Sequence, residues 1–560
     1  MSGKWVAVAL LAAGVAAAQQ NQAEMQKASV SGVVRDATSG DPIAGYQVST
    51  FTNSTWIGDT ILEGQGWQRV AATTDSAGRY TLTGLAPGSY RIMANDARNP
   101  SVGETRPVVL AGSNVDGIDF RVTMSGSISG RVVDENGDPV AKASLRLIAR
   151  EYFLGAVGYY TAGFGTTDAD GKYTMSRVPP GRSFLIQVEK RDPDLNLEAL
   201  SETPANPKLR RKIPARMWYP NSPAIEGGQP LILRSGEHRE GMNIEMKMGP
   251  SLCIEGVTAG VNGPSKANLS IQPQGASGIS ATMGMFFAAP NTTTGEDGKF
   301  RICDLTPGTY RLTAEIRGAA GGPSSGHLAQ LVVLSDEDVK NVKLTSSPLE
   351  TLTGQVVLDG PQPDSPLHAQ VEVWLTPMYR APWIWEKPGG KFDIPSEFKM
   401  ENVLLDDYSV RSLVSTPGLY VKAVTYAGRD VTYEPLNLAT AMKGTALRVE
   451  IGRDGAQLSA KVTDKDGNPV TDARILVIPA DAVSEGVMAA RLVNGRTDQT
   501  GNYTSQTLEP GKYLVAACGE TVDASAESID KVWHARNRFQ DVTVSPNGQT
   551  QVSLNVIKLD

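Results

Sequence analysis

The chain has 560 residues with 53 basic and 60 acidic side chains, a formal charge of −7 at pH 7. That balance argues against a nucleic-acid binder, which needs a basic footprint. Three cysteines and four histidines exclude a disulfide-dense scaffold and leave little material for metal or acid–base chemistry.

At the N-terminus, Lys4 precedes an apolar stretch from Trp5 to Ala18, and Ala16-Ala17-Ala18 before Gln19 has the small-x-small form of a signal-peptidase site. Residues 1–18 are expected to be a signal peptide, with the mature chain starting near Gln19. The stretch is shorter than the roughly 20 residues that span a bilayer, and no later segment reaches that length, so no transmembrane segment is expected in the mature chain. The expected location is exported: periplasm, cell envelope or cell exterior.

Two patterns then recur in the same order. The first is a strand leading into a turn: VSGVVRDATSGDPIAG from Val30, ISGRVVDENGDPVAKA from Ile128, LTGQVVLDGPQPDSP from Leu352, LSAKVTDKDGNPVTDA from Leu458, and a worn copy, IEGVTAGVNGPSKA, from Ile254. Apolar residues alternate with period two around Gly32, Gly130, Gly256, Gly354 and Ala460, the mark of a half-buried strand. The second pattern is DSAGRYTLTGLAPGSY from Asp75, DADGKYTMSRVPPGRSF from Asp168, GEDGKFRICDLTPGTY from Gly295 and DQTGNYTSQTLEPGKY from Asp498. It predicts two strands joined at a Pro-Gly turn. In the fourth copy, FKMENVLLDDYSV, only Phe398, Val403 and Tyr408 keep the apolar spacing.

The copies recur at intervals of about 100 residues, the size of one small β-sandwich. The expected fold class is all-β, a tandem array of about five antiparallel seven-stranded β-sandwich domains after a signal peptide. The expected boundaries are 28–124, 125–249 with a long insertion, 250–347, 348–455 for the degenerate copy, and 456–560. Such an array would form a rod or arc.

These paired motifs, xxGxVxDxxGxPxxxA and DxxGxYxLxxLxPGxY, resemble the carboxypeptidase regulatory-like domain, a transthyretin-like sandwich grouped with carbohydrate-binding-like folds. The resemblance implies a binding, spacer or folding module found in many bacterial exported proteins. It carries the fold and says little of function.

The peptidase partner of such domains resembles a zinc enzyme with an H-x-x-E pair, so each histidine was compared with that spacing. His238, His327, His368 and His534 all lack glutamate three residues on and fall in different units. No G-x-S-x-G elbow, Walker loop or dinucleotide fingerprint occurs. The chain is expected to be no enzyme, with no catalytic residues, no metal site and no cofactor. Lys461 is the only first-strand lysine placed for an isopeptide bond, but Ala94, Val188, Ala314 and Ala517 stand where related adhesin repeats carry the acid. DADG at Asp168 and DKDG at Asp466 lack the glutamate that closes a calcium loop and read as hairpin turns. Cys253 and Cys303 fall in one unit and are either a disulfide or two buried thiols, with Cys518 left over.

The segments between the motifs collect aromatics: Trp56 and Trp67 in unit one, Tyr152, Phe153, Tyr159, Tyr160 and Phe164 in unit two. Unit four is densest. There Trp374, Tyr379, Trp383 and Trp385 stand beside Arg380, a set suited to the apolar face and hydroxyls of a sugar ring. The same aromatics could equally fill the core or a contact with unit five, and Met283 to Phe287 reads as core. The insertion of unit two carries a basic run, Lys208, Arg210, Arg211 and Lys212, expected to be solvated. The sequence thus points to an exported, non-catalytic binding protein for a polysaccharide or envelope glycan. The alternative is a structural scaffold that meets another envelope protein.

Overall fold

The computed structural model describes residues 27–559, apart from 53–54, 58–59, 63–68, 97–98, 154, 191–211, 261–262, 274–290, 318–323, 346–349, 378–387, 404, 406 and 439–444. The signal-peptide expectation, Trp67, the Met283 to Phe287 run, Lys208, Arg210 and Arg211 lie outside the described residues. The chain is all-β, and its buried apolar residues form five successive cores: Ala28 to Val122, Ile128 to Met246, Leu252 to Leu344, Leu352 to Ile451 and Ala456 to Leu554. These cores define units one to five below.

Each core lies between two sheets. In unit one, Arg79–Leu85, Ala28–Asp36 and Phe120–Val122 face a sheet ordered Arg69–Thr73, Gln47–Thr52, Gly88–Asp96, Asn99–Leu110. The predicted alternation places Val30, Val34, Tyr80 and Leu82 inward. Between the named strands pairing is antiparallel, except that the first strand of each unit runs parallel to its closing strand or strands and that Val556–Ile557 runs parallel to Gly511–Cys518 in unit five. Val34 stands opposite Phe120, and the arrangement recurs as Val132 with Ile244, Gly256 with Val342, Val356 with Val449 and Ala460 with Val552.

The recurring residues have physical reasons. A Cβ on Gly32 would lie 2.1 Å from the Ile118 carbonyl oxygen, and one on Gly130 2.2 Å from that of Met242, so glycine lets the closing segment lie against the first strand. The motif aspartates close their own turns: Asp75 Oδ1 accepts from the amides of Ala77 (2.9 Å) and Arg79 (2.8 Å), and Asp168 and Asp464 do the same. In units one, three and five the tyrosine after the Pro-Gly turn is tied back across that turn, whereas unit two has Phe184 in its place. The tyrosine hydroxyl donates to the carbonyl four residues back, Tyr90 to Ala86 (2.6 Å), Tyr310 to Thr306 (2.7 Å) and Tyr513 to Glu509 (2.6 Å).

Unit five carries an additional layer. Helices Glu485–Arg491 and Ala526–Ala535, each capped by a serine side chain, cover the outer face of its larger sheet. They form a second core with Leu476, Ile478, Ala516 and Cys518. Burial there pushes the Cys518 thiol up to about 11.

In unit three, Cys253 and Cys303 are buried and bonded to each other, with a sequence separation of 50. A crosslink closing a loop of that length contributes about 3 to 4 kcal/mol by restricting the unfolded chain. Calorimetry should therefore show a transition that falls in temperature in the Cys253→Ala/Cys303→Ala variant and in the reduced protein, while the remaining units melt unchanged.

Candidate binding site and inter-unit junctions

Strand Leu367–Pro377 of unit four turns Val371, Val373 and Leu375 into the core, so Glu372 and Trp374 fall on the opposite face, half-buried. Trp374 Nε1 donates to Glu372 Oε2 (3.4 Å), whose other oxygen pairs with Lys391 Nζ at 2.9 Å. Arg411 stands across from Trp374 on one side and Gly389 on the other. A Cβ on Gly389 would lie 2.6 Å from the indole, so glycine makes room for the ring. Trp374 thus belongs to the outer face, beside a carboxylate and an ammonium group. Tyr379, Arg380, Trp383 and Trp385 lie outside the described residues.

The histidines stand apart. His238 bonds to Ser127 Oγ (2.7 Å), His368 pairs with Asp393 (3.2 Å) and His534 with Asp530 (3.2 Å), each within its own unit. Among the described residues, no group of three or more His, Cys, Asp or Glu side chains is placed to hold a metal ion.

Two clusters of charge lie at junctions between units that the sequence did not announce. Between units one and five, Arg106 Nη1 lies 2.7 Å from Asp472 Oδ1 and 3.3 Å from Glu104 Oε2. Arg496 closes the square, 2.7 Å from Glu104 and 2.5 Å from Asp472. All four side chains are at most 25% exposed. Burial lifts the Asp472 carboxyl above its ordinary value against the pull of both arginines, and lowers Arg106. Asp472 has a left-handed backbone (φ 62°), in the motif position held by Gly45 in unit one and Lys142 in unit two. Beside this square, the Gln499 side chain accepts from the Val109 amide (3.3 Å) and donates to its carbonyl (2.9 Å).

Units two and five meet through a second set. Arg182 lies 2.8 Å from Asp523 and 3.1 Å from Glu151. The Tyr152 amide donates to the Ala524 carbonyl (2.7 Å), and its hydroxyl donates to Glu485 Oε2 (2.8 Å). Tyr152 packs on the second core of unit five, so this aromatic is a junction residue. Its phenol is pushed up to about 12 by burial and by the Glu485 carboxylate. At the tip of the same hairpin a Cβ on Gly155 would lie 2.9 Å from the Tyr433 carbonyl oxygen of unit four, and one on Gly486 2.2 Å from that of Gly155. Three units meet there, backbone against backbone. Tyr152, Val157, Glu485 and Trp533 line a shallow cleft of about 570 Å³ beside the contact. Arg536 covers one face of Trp533, 3.5 Å from the ring centre.

These contacts correct the open rod or arc. Unit five touches units one, two and four, and charges 392 residues apart in the chain close the arrangement. A legible signal existed in RILVIP, Arg474–Pro479. Its unbroken apolar run, in place of alternation, marks a strand covered on both faces.

Burial alone would raise Asp523, but Arg182 and hydrogen bonds from Ser525 outweigh it and hold the carboxyl below its usual range. Its contribution to stability is therefore complete above the ordinary aspartate pKa of about 3.9 and is lost as pH falls through the lower folded value. Melting midpoints of the wild type and Asp523→Asn should differ at pH 7 and converge on acidification below about pH 4.

Residues 29–123 match the family model for the carboxypeptidase regulatory-like domain. No curated protein matches the chain. Among solved structures, the TIE protein of Bacillus anthracis is 12% identical, covering 77% of this chain and 73% of its own, with a TM-score of 0.16. The minor pilin GBS52 of Streptococcus agalactiae is 17% identical, covering 40% and 97%, with a TM-score of 0.24. Two B repeat units of the collagen-binding protein of Staphylococcus aureus are 13% identical, covering 71% and 96%, with a TM-score of 0.13.

Proposed function

We propose, for a chain whose residues 29–123 form a carboxypeptidase regulatory-like domain, that the protein is an exported, non-catalytic scaffold of the cell envelope. Unit five acts as its clasp. The observation that carries this reading is the pair of half-buried charge clusters joining unit five to units one and two. Linked flexibly, the sandwiches would sample many spacings; with units one, two and four fastened to unit five, they hold binding faces at set distances. Export is supported by the apolar leader ending at Ala18 and by the Cys253–Cys303 bond, which suits an oxidising compartment.

Removing Asp472 leaves Arg106 and Arg496 facing each other with one carboxylate between them, a loss of about 3 kcal/mol at the junction. Small-angle scattering of the chain from Gln19 onward should give a larger radius of gyration for Asp472→Ala/Gly486→Val than for wild type, with each unit still folded by circular dichroism. Equal radii would sink the clasp.

A second reading, carbohydrate binding by unit four, is favoured by Trp374 standing on the outer face beside Glu372 and Lys391. In a polysaccharide panel, a cognate glycan should quench tryptophan emission of the wild type. A folded Trp374→Ala or Trp383→Ala/Trp385→Ala variant should lose that response. No response from folded wild type leaves the scaffold alone.

A further inference from the structure

In every unit, the second strand of the second motif pairs with one or two further strands at the edge of its sheet. Exposed edges invite pairing with another chain, and proteins blunt them by keeping them short, charged or covered. Units two, four and five use short strands there: Met217–Trp218 with Leu231–Ile232, Leu436–Asn437, and Gln540–Val544. Units one and three have long ones, Asn99–Leu110 and Ser324–Leu334.

The two long edges differ in chemistry. Tyr90 opposite Val108 and Tyr310 opposite Val332 align them residue for residue. Unit one has Glu104 and Arg106, which receive unit five, while Gln499 pairs with the Val109 backbone. Unit three has Leu328 and Gln330 at the matching positions, which offer unit five no ion partners. Its outward residues are apolar and open, with Leu331 50% and Val333 65% exposed, the latter the more exposed of the two. From Ser324 to Leu334 the strand contains no Lys, Arg, Asp or Glu.

We propose that Ser324–Leu334 is a homodimerisation edge, pairing antiparallel with the same strand of a second copy. The absence of charge selects this occupant. Two-fold pairing sets a strand against itself, so any lysine or glutamate near the axis would meet its own kind, and this strand has none. Antiparallel pairing joins the outer faces of the two sheets, so that Leu331 and Val333 of both copies cover one another while the edge amides and carbonyls find partners. The clasp of unit five plays no part, so the two proposals stand or fall separately.

Light scattering coupled to size exclusion, on the chain from Gln19 onward, tests it. The wild-type mass should roughly double with rising concentration, and Leu331→Lys/Val333→Lys should remain monomeric with an unchanged melting profile. As an independent readout, a mixture of Leu331→Cys and Val333→Cys proteins, whose new thiols would face each other across the two-fold axis, should form a mixed crosslinked dimer under oxidation. A wild type that stays monomeric up to its solubility limit would overturn the proposal, as would a dimer that survives the double lysine variant or a Leu331→Cys and Val333→Cys mixture that does not crosslink.

Discussion

Four charges sealed between units one and five decide how the chain closes. Glu104, Arg106, Asp472 and Arg496 alternate in sign around a square, so every neighbour is an opposite charge. Such a cluster yields little net stability, because desolvation consumes much of the Coulombic gain, yet it is costly to break. Its effect is discrimination among sandwiches of one shape. Unit three offers the same strand in the same register with Leu328 and Gln330, and against those residues Asp472 and Arg496 would keep only each other and lose two of the square's four contacts. Charge at two positions therefore separates the strand that unit five receives from the one it leaves open.

Unit five can serve as the meeting point because it is built differently. Its larger sheet is apolar on both faces, with Ile475 and Val477 in the sandwich core and Leu476 and Ile478 under the helices. The helices supply surfaces that a bare sandwich lacks. Asp523, Ala524 and Ser525 lie at the start of one and bind Arg182, Tyr152 and Glu151 respectively, through side chain and backbone; Glu485 and Gly486 open the other and receive Tyr152 and Gly155.

The repeated motifs made the sandwiches legible because each motif residue answers to a local demand. Gly32 and Gly130 permit a backbone approach, Asp75 and Asp168 satisfy turn amides, and Tyr90 and Tyr513 tie a corner. These demands act within a unit, so they repeat. The junctions occur once, between residues hundreds of positions apart, and no periodicity announces them. Tyr152 illustrates the limit: its aromatic character was visible in the sequence, but its burial against the unit-five helices depends on how two units meet. Trp374 lay within reach of the same pattern reading, since alternation along VEVWL puts it opposite Val371 and Val373.

The variable segment between the motifs occupies the same place in each sandwich, and its uses explain where a ligand could still bind. In unit two it is the hairpin of Ser144–Phe153 and Ala156–Thr166, whose tip is consumed by contact with units four and five. In unit five it holds helix Glu485–Arg491, which receives that tip. One variable segment thus docks onto another, and its Tyr152 is spent on the junction. Unit four has the same two-strand frame, Leu367–Pro377 with Gly389–Ile394, but its Trp374 stands on the outer face beside groups that hydrogen-bond. The aromatic ring on that outer face, with a carboxylate and an ammonium group alongside, is the arrangement on which the proposed sugar contact rests, and its hydrogen-bonding neighbours come from the same two-strand frame that unit two uses for docking.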